Sequence, residues 1–205
     1  MMTMPRANVP STLTDDAAEL GATGNEHLTA WAGAALFVGF GLQGITILNM
    51  HSWLTAHMLI GISLFIPVGI KIASTGYRFV RYYTNSPAYV RKGPPHIVLR
   101  VLAPFLLLNT TLVMCSGVLI PLSGSYRHSV ETLHKLSFAT WLVLFGIHVL
   151  AYLRRMPQLL TADLMARGTT RSTATQRIVI VAGGGVAGIA LALVAMPWVR
   201  AWITP

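Results

Sequence analysis

His134 and His148 lie 14 residues apart in a sequence with few charged side chains. On a helix, at about 100° per residue, that spacing brings the second imidazole back to within about 40° of the first. A rise of about 1.5 Å per residue separates the two by about 21 Å along the axis. One helix face would then carry an imidazole near each side of a membrane. Neutral imidazole is a common metal ligand, and ionisable residues inside membranes usually have a function. Two imidazoles at this separation suit two stacked haems, one per leaflet.

Helices long enough to hold such a pair must cross a bilayer. Of 205 residues, 54% are hydrophobic and 10% charged, against about 25% charged in a typical soluble domain. Too few polar residues remain to cover a water-facing surface. Apolar runs long enough for a bilayer core of about 20 residues occur near 28–48, 52–73, 97–121, 131–153 and 178–199. They are continuous rather than alternating, which predicts helices and not a strand barrel. The expected fold is therefore an all-α membrane bundle. Four helices over 27–153 form a core, a basic linker covers 154–177, and a fifth helix with a short tail covers 178–205. Residues 1–26 carry Asp15, Asp16 and Glu19 and lack an apolar core. They read as a flexible tail and not as a cleavable leader.

Charge sets the expected orientation. Twelve of the 15 Lys and Arg, among them Arg6, Lys71, Arg100, Arg154 and Arg177, fall in the tail and in the second and fourth connections. Arg127, Lys135 and Arg200 fall on the other side. The positive-inside rule then places the N-terminus in the cytoplasm and the C-terminus outside. The net charge of +9 is accounted for by topology and gives no reason to expect a nucleic-acid partner. Tyr and Arg alternate through 74–95, as suits a stretch that contacts lipid phosphates.

With this topology the remaining histidines acquire depths. His57 lies about five residues into the second span and His134 about four into the fourth; both spans run the same way. The pair would hold an outer haem. His27 opens the first span at the inner side, where His148 also arrives, and the two would hold an inner haem. Gly61, one turn after His57, would let a flat macrocycle approach. Arg100, Lys71 and Arg154 are inner cations that could meet propionates, as are Arg127 and Lys135 on the outer side. The ordinary alternative is a structural hydrogen bond for each histidine, an interfacial place for His27 and His96, and a snorkelling Lys71. His96 also competes as an inner ligand or quinone-site group.

Other chemistries are excluded. Cys115 is the only cysteine, which rules out an internal disulfide, a cysteine-held zinc site and a four-cysteine iron–sulfur cluster. Gly183, Gly185 and Gly188 match G-x-G-x-x-G, but only 17 residues follow Gly188 and no acidic residue follows Asp163. A dinucleotide-binding unit needs both a second strand and that acid. Gly184 and Gly188 instead read as a small-residue face for close helix packing.

The segments HMLIG at 57–61 and HKLSFATWLVLFGIHVLAYL at 134–153 resemble the membrane-bound di-haem cytochrome b families, including the cytochrome b subunits of formate dehydrogenases and nickel–iron hydrogenases. The likeness covers roughly 27–153. It implies haem b, two per chain or one, with His27, His57, His134 and His148 as axial ligands. The segment KIASTGYRFVRYYTNSPAYVRKGPP is also similar to a group of bacterial membrane proteins, which implies a plasma (inner) membrane location. The expected role is an electron-transfer subunit of an oxidoreductase complex, passing electrons between a redox partner and quinone, rather than a stand-alone enzyme. Partners would be lipid and other subunits of that complex. The alternative is a haem-free anchor or assembly subunit. A transporter or channel is disfavoured because the spans lack intramembrane carboxylates.

Overall fold

The computed structural model describes residues 11–93 and 97–203, without the side chains of 11–19 and Thr169. Arg6 and His96 therefore lie outside the described residues. Among those described, the chain is helical and contains no strand. The elements are α1 (Ser11–Ile47), α2 (Met50–Ser63), α3 (Phe65–Tyr83), α4 (Pro87–Arg91), α5 (Ile97–Leu119), α6 (Arg127–Tyr152), α7 (Arg155–Leu164) and α8 (Thr169–Ile203). Five segments are long and apolar enough to cross a membrane: Leu20–Ile47, Met50–Tyr83, Ile97–Leu122, Gly124–Tyr152 and Thr170–Ile203. The protein is an all-α, multi-pass membrane bundle. Most large apolar side chains, such as Phe105, Leu108 and Val194, are exposed, as they must be when lipid is the solvent.

The second span is two helices, α2 and α3, that meet at Leu64. Pro67 has no N–H to give the carbonyl of Ser63 one turn earlier, which frees that oxygen and weakens the helix there. Gly188 of α8 fills the opening. A Cβ at Gly188 would collide with the Ser63 carbonyl and would stand 3.3 Å from Pro67 Cδ. Only glycine brings the α8 backbone close enough for a Cα–H to face that oxygen. Gly184, one turn earlier, lies against the Ile70 side chain. The small-residue face expected from the sequence is thus the seam between the fifth span and the second.

α8 packs against α1, α2 and α3, while α5 and α6 form a hairpin of their own. The fifth span thus packs beside the first two spans. Buried Ile62, Ala192 and Val199 tie α2 to α8; Leu36, Leu64 and Val68 tie α1 to α2 and α3, with Met114 of α5 against them. α1 meets α6 through rings: Phe40 stands 4.7 Å from Trp141 and 5.6 Å from Phe145.

One end of the bundle gathers the start of α1, the end of α3, α4, the start of α5, the end of α6, α7 and the start of α8. Most cations lie here, and it is called the basic end below. The sequence reading gave 1–26 to a flexible tail, but α1 is helical from Ser11. Good helix formers (Ala17, Ala18, Leu20, Ala22) carry it, and tertiary pairing anchors it. Glu26, almost fully buried, accepts hydrogen bonds from Lys92 at 2.9 Å and from Arg155 Nε at 3.0 Å. Those bonds hold both the α4 end and the start of α7 against α1. The linker at 154–177 is likewise mostly helix, as α7 and the first turns of α8.

Candidate functional site

His57 and His134 come together. Their ring centroids are 6.5 Å apart and the ring planes cross at 89°. α2 and α6 supply one ring each, near the end opposite the basic one, at the common depth the sequence predicted.

The hydrogen bonds behind the two rings place hydrogen on Nδ1 of each. Thr46 on α1 has one hydroxyl proton, which it donates to the Gln43 carbonyl at 2.5 Å. Its oxygen is also 2.7 Å from His57 Nδ1. With the proton already committed, that oxygen accepts, so His57 Nδ1 carries hydrogen. On α5, the Val113 carbonyl lies 3.0 Å from His134 Nδ1. A carbonyl only accepts, so this Nδ1 carries hydrogen too. Ser116 donates to the same carbonyl at 3.0 Å and places its oxygen 3.1 Å from His134 Nδ1. In the neutral form of each ring, an Nδ1–H leaves the lone pair on Nε2. Among the described residues neither Nε2 has a hydrogen-bond partner. An Nδ1–H held from behind with Nε2 left open is the arrangement of a metal-ligating histidine.

Spacing agrees with this assignment. A metal–nitrogen bond of about 2 Å plus about 1.2 Å from nitrogen to ring centre, on each side of one ion, gives about 6.4 Å between centroids. The observed 6.5 Å is close to that figure. Among the described residues no group of three or more His, Cys, Asp or Glu converges on a metal-sized point.

Glycines set the approach. Gly117 on α5 lies against His134, and a Cβ there would be 3.1 Å from the ring Cε1. Gly61, expected to leave room for a macrocycle, has another task. Its open side faces Gln43, whose Nε2 would be 3.3 Å from an added Cβ and donates to the His57 carbonyl at 3.0 Å. The absent side chain at 61 thus admits the Gln43 amide between α1 and α2.

The basic end is organised differently. His27 Nδ1 is 3.0 Å from Asp163 Oδ1, without the alignment of a hydrogen bond. Asp163 also accepts from Trp31 Nε1 at 3.1 Å and from Arg177 at 3.0 and 2.5 Å. Burial works against its charge, but the Arg177 hydrogen bond and the neighbouring His27 hold its carboxyl below the usual range. His148 packs on Tyr152, ring centres 4.9 Å apart. Lys71 Nζ donates to the Thr29 carbonyl at 2.7 Å and lies against Gly33. His27 and His148 therefore have different immediate neighbours. Arg100 is exposed and donates to the Tyr83 hydroxyl at 2.9 Å, so its guanidinium serves the aromatic surface of the basic end.

Trp141 lies seven residues from both His134 and His148 and is buried. Its Nε1 donates to Thr110 at 2.9 Å, and its ring stacks on Phe145 at 4.4 Å. Phe138 is 6.3 Å away on the same helix. These rings fill the bundle between the two histidine levels. No family model, curated protein or solved structure matches the chain.

Proposed function

We propose that this chain is a b-type cytochrome subunit that passes electrons through a bacterial inner membrane. The observation that carries the reading is the His57–His134 pair, 6.5 Å apart, with both Nδ1 atoms held by hydrogen bonds and both Nε2 lone pairs open. Haem fits the residues present: His57 and His134 would hold it through their Nε2 atoms. When bound, it would supply reversible one-electron iron chemistry.

The protein's part is positional and electrostatic. His57 and His134 give one neutral nitrogen each. Thr46, Val113 and Ser116 keep those rings in the ligating tautomer and raise their basicity. Phe138, Trp141 and Phe145 exclude water on the side toward the basic end. A second haem follows at His148 with His27, on the spacing along α6. Under the positive-inside rule the basic end is cytoplasmic, which makes His57–His134 the outer site. The redox partners are quinone and other subunits of an oxidoreductase complex.

Proteoliposomes test the transfer. Vesicles enclosing ferricyanide, with the haem-loaded full chain in the membrane, receive quinol outside. Bleaching of the enclosed ferricyanide that is absent with His134→Ala is the expected result. Haem-loaded wild type that leaves ferricyanide unreduced would refute electron transfer.

A further inference from the structure

At the basic end, the turn between α7 and α8 borders a half-open cavity of about 650 Å³. Gly168, at φ 61°, reverses the chain there. Two arginines, Arg167 from the turn and Arg171 from the first turn of α8, line the cavity together with Leu164, Met165 and Ile178. Among the described side chains neither guanidinium meets a carboxylate. Asp163 also lines it, but its charge is already engaged by Arg177 and His27. The wall is therefore locally neutral, while the arginine side carries two unbalanced positive charges.

Depth narrows the ligand. The apolar run of the fifth span begins at Ile178. Arg171 is seven residues earlier, about 10 Å along the helix. Headgroups occupy the layer of about 5–8 Å outside the hydrocarbon, and arginine side chains reach several ångströms toward it. Leu164 and Met165 are exposed apolar side chains beside this layer. Guanidinium pairs match the oxygens of a phosphate.

We propose that this cavity binds the phosphate group of an anionic phospholipid, held by Arg167 and Arg171, with an acyl chain lying along Leu164, Met165 and Ile178. The same two arginines could take inorganic phosphate, so the shared chemistry is a phosphate oxyanion and the source is decided by experiment.

The purified full chain in neutral detergent is titrated with phosphatidylglycerol, phosphatidylcholine or inorganic phosphate, following the thermal unfolding midpoint. Two variants accompany it: R167Q/R171Q, and R127Q/K135Q, which removes equal charge at the opposite end. Phosphatidylglycerol should raise the wild-type midpoint, and phosphatidylcholine should not. At about 1 kcal/mol per basic residue near a membrane surface, R167Q/R171Q should need about thirtyfold more phosphatidylglycerol for the same shift. R127Q/K135Q should respond as wild type. A shift produced equally by inorganic phosphate, and lost in R167Q/R171Q, upholds the phosphate site and assigns it a soluble occupant. Equal losses in both variants, or an unchanged response in R167Q/R171Q, would overturn the proposal.

Discussion

Thr46 determines how His57 can act. With its one proton given to Gln43, it holds His57 Nδ1–H from behind and leaves Nε2 free. Thr46→Val should therefore lower haem affinity about tenfold, measured by haem retention during dilution, while His57→Ala should abolish binding at that site. The histidines were legible in the sequence because imidazoles are rare in apolar helices. Thr46 and Ser116 were not. A hydroxyl in a membrane helix usually bonds a carbonyl of its own helix one turn back, as Thr110, Thr111 and Thr140 do, and the sequence does not say which hydroxyls also reach a neighbour. At the other end, Asp163 gathers Trp31, Arg177 and His27. Its folded pKa lies below that of the unfolded chain, so its contribution is complete above about pH 4 and is lost as pH falls through the depressed value. Amide exchange in α7 should accelerate over that acid window in wild type. Asp163→Asn should destabilise by about 2 kcal/mol or more and exchange fast at all pH.

Elements are joined by backbone proximity as much as by side chains. Gly188 lies on the Ser63 carbonyl that Pro67 leaves free, whereas Gly185 has open space around its would-be Cβ. Gly188→Leu should lower the thermal midpoint sharply, because α8 must back away from α2 and α3. Gly185→Leu, on the lipid side, should leave it nearly unchanged. A Gly188→Leu midpoint equal to that of wild type would refute this seam. All five spans were readable from apolar length, since backbone satisfaction in lipid demands helix whatever the packing. Which spans touch was not readable. Pro67 marks a weak point in the run 52–73, since it has no N–H to give, but it does not say that α8 docks against it. The break and the docking of α8 depend on each other, and such coupling leaves no periodicity in either segment. Likewise Gly61 signalled space, but the sequence could not tell a macrocycle from the Gln43 amide.

At the scale of the molecule, the bundle has two chemically different ends. The basic end is closed by buried acids, with Glu26 pinning α4 and α7 and Asp163 pinning α7 and α8. The opposite end carries the His57–His134 pair. If the cation bias sets orientation as it does in other membrane proteins, a reporter active only outside the cytoplasm should work when fused after residue 205 and fail when fused before residue 1. The reverse pattern would invert the assignment of outer and inner sites. The central claim is that two neutral imidazoles 6.5 Å apart hold one haem iron. Its most direct test is pyridine haemochrome quantitation with the reduced-minus-oxidised spectrum of purified protein from haem-supplied cells, for wild type, His57→Ala and His134→Ala. The prediction is at least one b-type haem per wild-type chain and one fewer in each variant. No haem in wild type, or an undiminished content in both variants, would contradict it.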